Sequence, residues 1–193
     1  MYTENNIPEL SKQFWNKQEH SCRLPRWNEL PEIELYMDQV LTLMEKYIRV
    51  FFHDPRDGLT PSMINNYVKM GIMPPPIKKR YSRVHISRLL IICAMKSVMP
   101  IQVIGAFIEH MLKTRTEEEL LDFFSEQYEK TFREMIKIMR ESIDSMTDGD
   151  SSVGKMLTLA VMQSTTVSSC SKLIAENALG EMEHLNILKS PAK

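Results

Sequence analysis

Apolar residues recur along this chain at steps of three and four and nowhere alternate over the length of a strand. That period predicts an all-α, mainly helical protein. Ile7, Leu10 and Phe14 share helical spacing in an otherwise polar opening segment, so a short helix with one apolar side is expected there. Pro25 and Pro31 bracket an extended strip around Trp27, which reads as a core or staple aromatic. A long helix then opens at Pro31 and runs to about Phe52, with Ile33, Met37, Val40, Leu41, Met44, Ile48 and Phe51 on one side. Glu32 and Glu34 fall at its positive end, where the dipole prefers them. The turn from His53 to Gly58 ends this first stretch.

The next element is short and sharply bounded. Thr60 supplies a capping hydroxyl, and Pro61 suits the first helical turn, where its missing N–H would be unpaired anyway. Ile64, Tyr67 and Val68 share one face, which leaves Ser62, Asn65, Asn66 and Lys69 on others. Gly71 is placed as a left-handed C-cap, and Pro74-Pro75-Pro76 forbids any continuation. After the Lys78-Lys79-Arg80-Tyr81 strip, Ser82 caps a helix from Arg83 to Val98 with Leu89, Leu90, Ile92, Cys93 and Met95 in the core. Pro100 starts another, to about Leu112, with Ile104, Phe107, Ile108 and Met111 inward.

Two long helices follow. Thr116 and three glutamates open the first, which reaches Met146 and spans about 45 Å. Its apolar line is Leu121, Phe124, Tyr128, Phe132, Met135, Met139 and Ile143, flanked by Leu120, Phe123, Ile136 and Ile138. Asp148 to Ser152 is a turn, and Val153 to Leu179 forms the second. No charge falls between Lys155 and Lys172, so this stretch is expected to be mostly buried, with its Ser and Thr hydroxyls bonded back to helix carbonyls. Residues from Glu181 onward read as a weak helix and a tail. The chain thus divides into an arm (1–30), a helical module (31–114) and a C-terminal region for dimerisation or sensing (115–193).

Charge changes the picture. The chain has 24 basic and 25 acidic residues, a near-neutral total. Between Gly58 and Ile108, however, there is no Asp or Glu, while Lys69, Lys78, Lys79, Arg80, Arg83, Arg88 and Lys96 give that segment +7. Everything else sums to −8, from 17 basic and 25 acidic residues. Such asymmetry points to a polyanion partner. A short amide-bearing helix fits the major groove, where Asn pairs with adenine and Lys reaches guanine or phosphate. The candidate contacts are therefore Thr60, Ser62, Met63, Asn65, Asn66 and Lys69 on the helix, with Lys78, Lys79, Arg80, Tyr81 and Arg83 holding phosphates. His85 near the next helix start reads as a plain surface histidine.

The stretch NNYVKMGIMPPP, followed by a basic linker ending in Tyr81-Ser82 and an apolar helix, resembles the N-terminal domain of MerR-type regulators. Tyr67, Gly71, Ile72, Met73, Pro74, Pro75, Tyr81 and Ser82 match that pattern position by position. Asn66 stands where the first of that family's paired tyrosines would be, Val68 replaces its glutamate, and the wing is several residues shorter. The resemblance implies a winged helix-turn-helix, double-stranded DNA as partner and pairing of two subunits through C-terminal helices. A wider stretch, roughly residues 20 to 145 and including LPRWNELPEIELYMDQVL, is similar to a bacterial family described as domain of unknown function 1836. That resemblance implies a regulator.

Other classes find little support. Cys22, Cys93 and Cys170 are odd in number and far apart, which suits a reducing cytoplasm and excludes a zinc finger. No basic and apolar leader pattern opens the chain, and the uncharged stretch after Lys155 is too short and hydroxyl-rich for a membrane span. Gly149 to Lys155 matches the spacing of a phosphate loop, but Met156 stands where Ser or Thr must hold magnesium, and no strand precedes it. Asp148-Gly149-Asp150 fails as a calcium loop, since Val153 and Leu159 occupy obligatory Gly and Glu positions. No catalytic constellation emerges, so a non-enzymatic protein without cofactor or metal is expected. The rival to DNA binding is a helical interaction module whose basic face docks an acidic protein.

Overall fold

The computed structural model describes residues 7–20, 22–49, 51, 58–146 and 153–188. Among these the protein is all-α, with helices α1 (Ile7–His20), α2 (Met37–Ile48), α3 (Pro61–Lys69), α4 (Arg83–Met95), α5 (Ile101–Met111), α6 (Glu117–Met146) and α7 (Val153–His184). The turns expected at residues 53–57 and 148–152 lie outside the described residues. So does most of the phosphate-loop-like stretch.

The chain forms two compact units, one of residues 24–126 and 179–193, the other of residues 1–23 and 127–178. This division differs from the three segments read from the sequence. The break expected at residue 114 falls within α6 instead, because Leu120, Leu121 and Phe124 at that helix's start belong to the larger core.

The larger unit is built around α4. Its sequence is nearly continuously apolar, and nine successive residues from His85 to Cys93 are buried, the signature of a helix enclosed on every side. Helices α2 and α5 pack against it. Gly105 of α5 lets that helix approach the turn after α3, since a Cβ there would stand 2.8 Å from Ile72 Cγ1.

Helix α2 begins at Met37, not at Pro31 as the periodicity suggests. Leu35 pairs instead with Tyr81 through two backbone hydrogen bonds, its N–H donating to the Tyr81 carbonyl (2.9 Å) and its carbonyl accepting from Tyr81 N–H (2.8 Å). Those reciprocal bonds keep residues 31–36 out of the helix, with a bend at Glu32 and Ile33, and Ile33, expected on the buried side, is 72% exposed. The Gln39 side chain then caps α2 by accepting from Tyr36 N–H at 2.9 Å. Gln39 was the local start signal, and the proline upstream was a decoy.

Arg88, on the enclosed α4, ties four segments together. Its Nε and Nη2 donate to Glu117 Oε1 at 2.9 and 2.7 Å, and Nη1 donates to Glu109 Oε1 (2.8 Å) and to the Ile72 carbonyl (3.0 Å). The start of α6, the end of α5 and the turn after α3 are thereby fixed to the central helix. At the start of α6, Thr116 Oγ1 accepts from Glu119 N–H (3.2 Å) while Glu119 accepts from Thr116 N–H (2.8 Å). This is a reciprocal capping box. The Thr116 N–H and the Thr116 hydroxyl (3.1 Å) both donate to the Glu119 carboxylate and hold it below its ordinary value.

In the smaller unit Trp15, Ile136, Met139, Ile143, Met156 and Ala160 form a second core, with Phe14, Phe132, Met135 and Leu159 around it. Burial, assisted by Glu129, pushes the Cys22 thiol up to about 12, so it stays protonated and inert. The expectation that α7 is mostly buried between Lys155 and Lys172 is corrected. Met156 and Ala160 are buried, whereas Val161 (66%) and Met162 (56%) are exposed, as are Ser164 to Thr166 and Ser168 to Ser171. The hydroxyls do bond back as expected: Ser164 to the Ala160 carbonyl (2.6 Å), Thr165 to Val161 (2.6 Å) and Thr166 to Met162 (2.9 Å). Internal satisfaction let the absence of charge mimic burial.

Candidate functional site

Helix α3 forms where its caps dictate. Thr60 Oγ1 accepts from Met63 N–H at 3.2 Å, and Pro61 occupies the first turn. At the other end Gly71 is left-handed (φ 71°), Ile72 N–H donates to the Tyr67 carbonyl (3.0 Å) and Gly71 N–H to the Val68 carbonyl (3.0 Å). This pair of bonds is the Schellman closure that glycine permits. Ile64 and Tyr67 are buried beneath the helix, with Val68 and Met63 half-buried beside them. Ser62, Asn65, Asn66 and Lys69 are left exposed. Asn66 Nδ2 reaches Met70 Sδ at 3.3 Å, while Ser62, Asn65 and Lys69 use their side-chain polar atoms on nothing among the described residues.

The chain then passes through the buried Ile72 and Met73 and three prolines into a tight hairpin. Ile77 and Arg80 exchange both backbone bonds, Ile77 N–H to the Arg80 carbonyl at 3.2 Å and Arg80 N–H to the Ile77 carbonyl at 2.9 Å. Between them Lys78 (φ 50°) and Lys79 (φ 63°) are both left-handed. A two-residue connection of this twist normally takes Asn-Gly or Asp-Gly, because a Cβ in that region is disfavoured. Two lysines therefore hold the tip in a strained conformation, and strain of this kind collects at functional sites. Both are exposed and make no ion pair among the described residues. Arg80, also exposed, donates from Nη2 to the Tyr36 hydroxyl (3.3 Å) and lies 5.3 Å from the centroid of that ring.

The other sequence-derived candidates are placed differently. Thr60 is exposed, with its hydroxyl engaged as the cap, and Met63 serves packing more than contact. Tyr81 is only 4% exposed and stacks edge-on against His85, with ring centroids 5.2 Å apart. It is a core side chain, and its expected role at phosphate is withdrawn. Arg83 is half-buried and already engaged: its Nε donates to the Leu30 and Pro31 carbonyls at 3.2 Å, its Nη2 pairs with Glu32 at 3.3 Å, and its guanidinium sits 5.9 Å from the Trp27 ring centroid. Arg83 anchors the incoming strip. With Arg88 held by Glu109 and Glu117, two of the seven cations in the acid-free segment are neutralised by acids from outside it.

His85, expected at the surface, is 5% exposed. Its Nδ1 accepts from Ser82 N–H (2.9 Å) and stands 3.0 Å from Ser82 Oγ. The neutral ring therefore carries its proton on Nε2, which is buried near the Pro74 and Pro75 carbonyls but outside hydrogen-bond geometry. Burial, first, and then the Arg88 charge lower its pKa from 6.5, while nearby backbone carbonyls oppose the shift. A lowered folded-state value means that the unfolded chain takes up the proton first. Stability is therefore full above pH 6.5 and is lost as pH falls through the folded value. Urea unfolding between neutral and mildly acidic pH is expected to show this loss, and His85→Gln is expected to flatten it.

Sequence reasoning missed Tyr36 and Ile77. Tyr36 is 48% exposed and positions Arg80, but a helix opened at Pro31 absorbs it without a role of its own. Ile77 is 68% exposed at the foot of the cationic tip. A lone isoleucine between proline and lysine carries no periodic signal.

The class defined so far is an all-α protein presenting a short, doubly capped amide-bearing helix and a cationic hairpin. The family described as Domain of unknown function (DUF1836) matches residues 25–135, and the chain belongs to it. That match begins one residue inside the larger unit, which starts at residue 24. No curated protein and no solved structure matches the chain. No helix among the described residues is long and apolar enough to cross a membrane.

Proposed function

We propose that this protein is a cytoplasmic, non-enzymatic DNA-binding regulator of MerR-like winged helix-turn-helix type. In this reading α3 is the recognition helix and the Ile77–Arg80 hairpin is a minimal wing. The observation that carries it is the exposure of Ser62, Asn65, Asn66 and Lys69 on a helix capped at both ends, followed in the same compact unit by the exposed Lys78-Lys79-Arg80 tip. Asn65 and Asn66 have the donors and acceptors for adenine edges, and the tip supplies charge for phosphates. The motif match at Gly71, Ile72, Met73, Pro74 and Pro75 supports it further.

Fluorescence polarisation with a random duplex pool tests this directly. Saturable binding that weakens with salt is expected, and sequences selected from the pool are expected to lose their preference at one position in Asn65→Ala. Absence of saturable binding at low salt, with capture of an acidic peptide instead, would favour a protein-docking role for the basic face.

Pairing of two copies through α6 and α7 completes the proposal. Its support is the exposure of Ile138 (65%) on α6 and of Val161 (66%) and Met162 (56%) on the stretch of α7 that carries no charge between Lys155 and Lys172. A second copy offers the same apolar side chains, and helix-turn-helix proteins read two half-sites as dimers. Sedimentation is expected to give a dimer for wild type and a monomer for Met162→Glu. A monomeric wild type would remove this part of the proposal.

A further inference from the structure

The hairpin holds one feature that phosphate binding does not use. Ile77 is 68% exposed, although an apolar side chain of its size gains from burial. It is rigidly mounted, with Pro74, Pro75 and Pro76 restricting the approach. Its own N–H and carbonyl are both spent on Arg80, at 3.2 and 2.9 Å. Three exposed cations follow it directly: Lys78, Lys79 and Arg80, the last steadied by Tyr36.

An apolar tip ringed by cations suits few partners. Another protein's apolar core would have to desolvate the lysines. A duplex minor groove offers phosphates on both rims and stacked bases at its floor, and apolar wedges, isoleucine among them, enter there between base steps. We infer that Ile77 is a minor-groove wedge that partly unstacks one base step while Lys78, Lys79 and Arg80 hold the flanking phosphates. The inference rests on the DNA-binding reading and deepens it. It also assigns a source of specificity without base hydrogen bonds. Pyrimidine–purine steps such as TA open most easily, so the hairpin favours them, whereas stiff A-tracts resist it.

The test uses the full chain and an alternating dA-dT duplex in which 2-aminopurine replaces a fraction of the adenines. Every second step of that polymer is TA, so the hairpin meets one wherever it lands. Wild type is expected to bind and to raise 2-aminopurine fluorescence as the base unstacks. Ile77→Ser is expected to lose the rise while its affinity, dominated by phosphate contacts, stays within about threefold. Ile77→Leu, which keeps an apolar wedge, is expected to retain it. A dA·dT homopolymer duplex carrying the same label is expected to bind with a smaller rise. Binding by wild type without a fluorescence rise, or an undiminished rise in Ile77→Ser, overturns the wedge and leaves DNA binding standing. No binding by wild type overturns both.

Discussion

Replacing Arg88 by alanine is expected to remove about 3–5 kcal/mol of stability, the usual cost of breaking a buried ion pair on one side. The guanidinium is 11% exposed and serves Glu117, Glu109 and the Ile72 carbonyl at once. Its loss strands the Glu117 carboxylate, which is 20% exposed, and leaves the turn after α3 without its buried donor. Domains of this size are stable by only about 5–15 kcal/mol, so the change consumes a large share. Arg88→Lys is expected to recover little, because one ammonium cannot reproduce the fork that meets Glu117 through two nitrogens. Urea unfolding checks this, and a loss below about 1 kcal/mol, the surface-pair range, would show that the network carries no load.

The second large effect runs in opposite directions for stability and binding. Replacing Lys78 with Asn and Lys79 with Gly gives the hairpin the residues its twist prefers. Relief of two left-handed lysines is expected to stabilise the fold by about 1–2 kcal/mol. The same substitutions remove two exposed cations, so duplex affinity is expected to fall. A variant that is more stable and binds less is the mark of strain kept for function. A less stable variant would mean that the lysines are comfortable as they stand. Unchanged affinity would mean that they touch no phosphate.

The helical class and most elements were legible because local signals agreed. Thr60, Pro61, Gly71 and the three prolines bound α3 by local capping and backbone geometry, and the structure follows them closely. The Thr116-to-Met146 helix was equally plain. What the sequence hid was non-local. The backbone pairing of Leu35 with Tyr81 replaces the expected first turns of α2 with a non-helical strip, and no local pattern encodes that partner. Arg83 and Arg88 counted as free charge until Glu32, Glu109 and Glu117 came to meet them from outside the acid-free stretch. Tyr81 and His85 look polar in a list of residues, yet packing against each other and the neighbouring segments encloses both. In α7 the reverse occurred, since uncharged hydroxyl-rich residues can stand in solvent once their donors are satisfied within the helix. For the candidate site, the exposed amide face and the Lys78-Lys79-Arg80 tip were legible, while Tyr36 and Ile77 required the fold.

The central claim is that this cationic tip grips the backbone of a duplex, and its salt dependence is the sharpest probe. Each phosphate contact contributes close to one unit to the slope of log affinity against log salt. The Lys79→Ala, Arg80→Ala double variant is therefore expected to bind every duplex more weakly, with a slope shallower than wild type by about two. Equal slopes for the two proteins would contradict the account.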